Sequence, residues 1–465
     1  MPVTGLSFAD LPYLGDSASL FDRIADEPWS VFMDSSTASG TYGRYDILAS
    51  RPEMCITTQN QKTKIQTYSQ SYTVLESPFT VLGELLSKPW ESIPDLPFTG
   101  GAIGFFSYDL CRYMEKIPAI AADDASVPDM VMGIYAWAVV VDHKKRRSVL
   151  VGDRSRTRVN RDWDELIKLF ASPDDGKKYP EFRANTPVAS NMTREYYRRA
   201  FGKVKEYILQ GDCYQVNLAQ RFVAGVEGSP WSAYRILRKI NPSPFSAYMN
   251  YPELQVLSNS PEQFLSVRGK NVKTRPIKGT RPRSSDPLRD RVLAQELADS
   301  LKDRAENLMI VDLMRNDISK NCALGSVQVP ALFDVESFPN VHHMVSTITG
   351  KLPDRRSALD LLRGCFPGGS ITGAPKIRSM QIIEELEPHR RGVYCGSIGY
   401  MGYDGNMDMN IAIRTILHRQ QQMYFFAGGG IVQDSSADAE YQETLDKATA
   451  MMHLLEGNRA DALGH

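Results

Sequence analysis

The sequence predicts an α+β sandwich of antiparallel strands and segregated helices, not a doubly wound parallel sheet. Two patterns carry that expectation. Runs with strand period follow one another across short polar turns, so neighbouring strands can pair directly. Segments with helical period stand in separate blocks instead of alternating with each strand. The length of 465 residues exceeds one average core and favours two or three domains or one large assembly.

The elements can be justified in chain order. MVMGIYAWAVVVDHKKRRSVLVGD (130–153) reads as two strands joined by a polar, basic turn. ASPDDGKKYPEFRANTPVASN (171–191) has no periodicity and is rich in Pro, Asp, Asn and Ser. It reads as a loop separating an N-terminal portion, 1–180, from a C-terminal one, 190–457. Thr193 is placed to cap a helix with Tyr197, Ala200, Val204, Tyr207 and Ile208 on one face, closing at Gly211. YQVNLAQRFVA alternates as a strand, and 230–240 has helical period. PFSAYMNY, LQVLSNSP, QFLSVRG and NVKTRPIKG read as strands, and 288–318 as largely helical. Residues 393–432 give three strands, with Asp404-Gly405 in the first turn, before a final helix over 437–455.

Bulk properties exclude several functions. Lys plus Arg (54) and Asp plus Glu (55) nearly cancel, and a net charge of −1 gives no field for gripping nucleic acid or an anionic membrane. The six cysteines form no Cys-x-x-Cys and no zinc spacing, which suits reduced thiols. MPVTGLSFADLPYLGD has neither a basic start nor an apolar stretch, and the apolar run 134–141 is far short of the ~20 residues a membrane helix needs. The expected location is cytoplasmic.

Several segments carry candidate chemistry. TRPIKGTRPR (274–283) sets Lys278 between two proline corners, either as one charge in a basic patch or as a reactive amine. Two helical stretches space acids three apart: Asp303 and Glu306, then Glu440 and Glu443 followed by Lys447. Those carboxylates can be a solvated helix face or, if the two pairs meet, a Mg²⁺ site. On the last helix, Tyr441, Leu445, Ala448, Met452 and Leu455 make a separate apolar stripe. FPGGSITGAPK (366–376) fails the phosphate-loop pattern, because Ala374 and Pro375 follow Gly373; a loop opening a helix fits better. AGGGIV (427–432) is too glycine-dense for a strand interior unless something approaches closely. Arg414, expected on the strand before it, would suit a carboxylate. His342-His343 can be a base, a ligand pair or core.

Read together, RPIKGTRPR, KDRAENLMIVDLMRNDI, VHHMVSTI, FPGGSITGAPK, CGSIGY, AIRT, AGGGIV and AEYQETLDKA resemble the ordered signature of the chorismate-utilising enzymes. That family includes anthranilate synthase component I, isochorismate and salicylate synthases, and aminodeoxychorismate synthase component I. The motifs span roughly 190–455, with a looser match through GRYDILASRP and LPFTGGAIGFFSYDL. The resemblance implies a layered α/β/β/α sandwich of the anthranilate synthase component I type, in which the two portions interlock. Anthranilate-, isochorismate- and salicylate-forming members usually carry a small residue where Lys278 stands. PIKGT is instead similar to the members of the aminodeoxychorismate synthase component I type, implying amination of chorismate at C4 to 4-amino-4-deoxychorismate for 4-aminobenzoate and folate synthesis.

Residue by residue, the resemblance implies Lys278 as a covalent nucleophile and Glu262 as its acid. It implies Glu306 and Glu443 as Mg²⁺ ligands, with Asp303 and Glu440 behind them. Arg414, Lys447, Tyr394 and the backbone of Gly428, Gly429 and Gly430 would hold substrate carboxylates, with His343 against the ring. Arg281 and Arg283 stay structural or solvated. Ser35, Tyr42, Gly43, Arg44, Tyr45, Pro244, Phe245 and Ser246 resemble the family's tryptophan pocket. No glutaminase signature accompanies these motifs, so the expected ammonia source is a glutamine amidotransferase partner in a heterodimer. The remaining alternatives are an anthranilate synthase, which Lys278 opposes, and a nucleic-acid-binding scaffold, in which the acids would be idle.

Overall fold

The computed structural model describes residues 5–36, 43–87, 90, 92–173, 176–338 and 341–457. Within them the strands form one thirteen-stranded and one twelve-stranded sheet. The larger runs from Leu6–Leu11 through Arg147–Asp153, Trp137–Asp142, Tyr45–Ala49 and Ser30–Asp34. It continues through Phe245–Tyr251, Leu254–Ser260, Thr415–Arg419 and Gln422–Ile431 to Gln215–Glu227 and Arg183–Ala184. The smaller runs from Ile277–Pro282 through Val341–Lys351, Asn271–Arg275, Gln263–Arg268, Met407–Asn410 and Ser397–Gly402. Its other half is Gly101–Phe106, Met130–Tyr135, Met54–Gln59, Lys62–Thr67 and Ser71–Val74. The neighbours along both sheets are antiparallel, as the α+β expectation requires.

Strand alternation builds the layers. Ile103, Phe105, Ala138 and Val140 face inward and pack with Val256 and Ile398 between the sheets. Val139 and Val141 face outward, with Trp163, Trp231 and Leu454 from covering helices. Ala102 and Phe106 face outward from the other sheet, with Phe79, Ile310 and Leu361. Sequence portions mix in both sheets: Ser30–Asp34 pairs with Phe245–Tyr251, and Gly101–Phe106 with Ser397–Gly402.

Four segments differ from the sequence expectation. Residues 130–153 form three strands, because the chain leaves the smaller sheet after Tyr135 and enters the larger at Trp137. Both strands are buried throughout, so no polar residue marks the crossing. Residues 393–432 form four strands, with a second crossing between Asn410 and Thr415. NVKTRPIKG splits at Pro276, which cannot donate to a ladder. The helical block divides at Ser300, whose hydroxyl accepts from the Asp303 amide and caps the second helix, Leu301–Ser319. Thr193 caps its helix as expected, accepting from Tyr196 N.

Candidate functional site

The strand carrying Lys278 loses register against Val341–Lys351 between Ile277 and Thr280. Such an irregularity re-aims side chains out of the ladder. The Lys278 Nζ donates to the Ser370 carbonyl at 3.2 Å. Burial holds its pKa below the ordinary lysine value, and the Lys447 charge adds to that; Glu262, Glu306 and Glu443 pull the other way. Glu262 shows the opposite shift. Burial pushes its carboxyl up, against hydrogen bonds from the Ser370 hydroxyl and the Ile277 amide and against the Lys278 charge. A depressed amine beside a raised acid is the arrangement that lets one attack and the other donate.

The two acid-bearing helices meet across this lysine. Burial raises the Glu306 pKa, and both Asp303 and Glu443 add to the rise. Glu443 is pulled up by burial, but Lys447, 2.6 Å from Oε1, and Lys278 bring it net below its usual value. Glu440 is buried, accepts from the Ser435 hydroxyl at 2.6 Å, and has a second oxygen with no hydrogen-bond partner among the described residues. Asp303 is bonded to Arg281 at 3.0 Å, and Arg283 to Asp290 at 2.9 Å, so both arginines are structural.

The inward turn of the last helix corrects the expected apolar stripe. Glu440, Thr444, Ala448, Met451, Leu454 and Leu455 are buried, while Tyr441, Leu445 and Met452 are only half-buried. Glycine permits this approach. A Cβ at Gly429 would lie 2.9 Å from Glu440 Oε2 and 3.4 Å from Glu443 Oε1, and one at Gly430 would collide with the Gln215 amide.

The same strand, Gln422–Ile431, has an open edge. Opposite Gly428 and Gly430, the amides of Ala219 and Asn217 donate to Glu387 and to the Thr372 carbonyl instead. The peptide groups of Gly428 and Gly430 therefore face the other way. On that side the neighbouring strand pairs only from Arg419↔Gln422 to Ile416↔Phe425. Lys447 reaches the edge and donates to the Gly428 carbonyl at 3.0 Å. Arg414 is not on a strand, contrary to expectation. It sits in the second sheet crossing at φ 50°, with burial depressing its pKa. His343 is buried and donates to or accepts from Thr280 Oγ1 at 2.8 Å; burial and the Arg414 charge bring its pKa down to about 3. Tyr394 stacks on Phe426 at 5.2 Å.

Sequence reasoning gives no role to three contributors. The Ser370 carbonyl accepts from Lys278, and its hydroxyl favours the ionised form of Glu262, yet a serine in a glycine-rich loop has no periodic signal. Gln215 and Asn217 share the strand face of Ala219, and each has a buried side-chain oxygen without a partner among the described residues. The loop's Lys376 bonds Asp317 at 2.5 Å and the Cys365 carbonyl at 2.8 Å, so it braces two helices and cradles no phosphate.

A second feature lies between the sheets: a cavity of about 990 Å³. Ser35, Gly43, Arg44, Tyr45, Pro244, Phe245 and Ser246 line it, with Arg268, Tyr400 and Asp408 opposite. Tyr42 lies outside the described residues.

Fold and site together define a chorismate-binding enzyme, and the chain belongs to that family, whose pattern matches residues 30–453. It is 48% identical to aminodeoxychorismate synthase component 1 of Salmonella typhimurium, covering 96% of this chain and 97% of that relative. The Escherichia coli protein of the same name is also 48% identical, over 94% and 95%. Anthranilate synthase component 1 of Thermus thermophilus is 37% identical over 93% and 94%. Anthranilate synthase component I from Streptococcus pneumoniae superposes with a TM-score of 0.81 at 35% identity, covering 89% of this chain and 93% of that one.

Proposed function

We propose that this chain aminates chorismate at C4 to 4-amino-4-deoxychorismate, through a covalent adduct on Lys278. The observation that carries the reading is the half-buried Lys278, its amine held at the Ser370 carbonyl with Glu262, Glu306 and Glu443 close enough to act on its charge. The higher identity to relatives named aminodeoxychorismate synthase component 1 than to those named anthranilate synthase component 1 supports it. Replacing the C4 hydroxyl with retained configuration takes two displacements. The neutral Lys278 amine bonds to C2 as both ring double bonds shift by one position and the C4–O bond breaks. Protonated Glu262 supplies the proton with which the hydroxyl leaves as water, and the proton the new C2–N ammonium sheds goes back to the Glu262 carboxylate. Ammonia then bonds to C4, and the C2–N bond breaks to return the lysine. Attack needs an uncharged lysine, and burial together with the Lys447 charge favours that form.

The donor set fits Mg²⁺. All the candidate ligands are carboxylates, Glu306 and Glu443 repel each other, and one Glu440 oxygen is unpartnered. Mg²⁺ takes one or two protein carboxylates and completes its shell with water and substrate oxygens. Glu306 and Glu443 would hold the ion, with Asp303 and Glu440 behind, and it would neutralise a substrate carboxylate. Arg414, Lys447, Tyr394 and the Gly428–Gly430 backbone hold the carboxylates, and neutral His343 lies against the ring. The nitrogen comes from a glutamine amidotransferase component, consistent with the relatives' title "component 1"; glutamine-dependent turnover by the purified chain alone would contradict this. Tryptophan occupies the cavity between the sheets, and calorimetry showing no heat on tryptophan addition removes that part.

The decisive experiment incubates the chain with chorismate and Mg²⁺ but no amine, then quenches and digests it. A modified peptide containing Lys278 is expected. Undiminished amination by Lys278→Ala sinks the covalent route.

A further inference from the structure

We infer that the buried Glu387–Arg391 pair is the positioning device that holds the Gly369–Ile371 turn, and with it Ser370, against Lys278 and Glu262. This rests on the reading of Lys278 as the reacting group. The Arg391 side chain is 1% exposed and that of Glu387 3%, so neither can touch solvent or, from its place behind the wall, substrate. The guanidinium uses its fork fully. Nε and one terminal nitrogen grip the two Glu387 oxygens at 2.9 and 2.6 Å. The other terminal nitrogen donates to the Ile371 carbonyl at 3.0 Å, and the first also donates to the Asn217 carbonyl at 2.8 Å. Glu387 in turn accepts the Ala219 amide at 2.9 Å.

Three walls of the site thus converge on one side chain. Ile371 follows Ser370, whose carbonyl accepts from Lys278 at 3.2 Å and whose hydroxyl favours the ionised form of Glu262. Asn217 and Ala219 lie opposite Gly430 and Gly428. The guanidinium also lies 5.6 Å from the Tyr394 ring centre and 4.9 Å from that of Tyr108. A fully buried ion pair is weak support for a stability role, since apolar residues of similar volume often serve as well or better. What an apolar pair cannot replace is a planar fork that fixes two carbonyls and a carboxylate at once.

The test uses the full chain with chorismate, Mg²⁺ and ammonium salt. An inactive parent refutes the proposed function and this inference together; an active parent isolates the question. The double variant Glu387→Leu/Arg391→Met keeps volume and removes the charges. Expected is a single cooperative melt, lowered because the Ile371 and Asn217 carbonyls and the Ala219 amide lose their partners. Expected with it are a kcat lower by about 100-fold, as for ångström-scale misplacement, and a chorismate KM within about threefold. A folded double variant with near-parental kcat, or with KM raised and kcat unchanged, overturns the inference. Should that variant aggregate, Arg391→Lys decides by the same split of kcat from KM. Insolubility of both assigns the pair to folding and also overturns it.

Discussion

At the scale of single residues, the features that make Lys278 useful also make it costly. Burial depresses its pKa in the folded chain, so at neutral pH the unfolded chain holds a proton that folding must desolvate or remove. The cost is full below the depressed folded value, shrinks as pH rises from there toward the unfolded value of ~10.4, and is gone above it. Lys278→Met, in EDTA, should therefore melt higher than the parent at pH 7, by about 1 kcal/mol or on the order of 2 °C. The gap should close as pH approaches 10; a gap that widens there refutes the argument. Glu262 shifts the other way, so its penalty grows above the unfolded carboxyl pKa, and Glu262→Gln should stabilise at pH 7 but not at pH 4. His343, at about 3, stays neutral through the working range, so its titration should leave no inflection in the rate between pH 5 and 9.

Elements add constraints that no single residue displays. The last helix can turn Glu440 inward only because the strand beneath it has no side chain at Gly429. Gly429→Ala should leave the fold intact and raise the Mg²⁺ needed for half-maximal turnover by about tenfold, a shift worth about 1.4 kcal/mol. A metal titration checks this, and an unchanged midpoint refutes it. Much of this level was readable in the sequence. Thr193 announced its helix through capping chemistry, and AGGGIV announced a close approach through its glycines. The helix face was not readable, because it is decided by what lies across from it: Glu440 is buried where pattern alone put Tyr441 and Leu445. Ser370 and Arg391 were equally silent, since Ser370 offers its own carbonyl to Lys278 and Arg391 donates to the carbonyls of Ile371 and Asn217, and such bonds leave no periodicity behind.

For the whole molecule, the antiparallel class was legible from turn chemistry, whereas the two sheet crossings were not. A strand buried on both faces reads as one apolar run, so Tyr135 and Trp137 look continuous although they belong to different sheets. The same mixing predicts that the portions 1–180 and 190–457 will not fold apart. Ser30–Asp34 would lose Phe245–Tyr251, and Gly101–Phe106 would lose Ser397–Gly402. Expressed singly they should be insoluble or lack a cooperative melt, and co-expression should restore turnover; two independently melting halves would refute this. The second crossing has a consequence of its own. Strand Thr415–Arg419 begins late because the chain spends Ile411 to Arg414 travelling between sheets. Were it to begin four residues sooner, it could zip alongside Phe426 to Gly430 and seal the space above Lys447. The vacancy a small acid could enter is thus a missing length of ladder, kept missing by the route of the backbone itself.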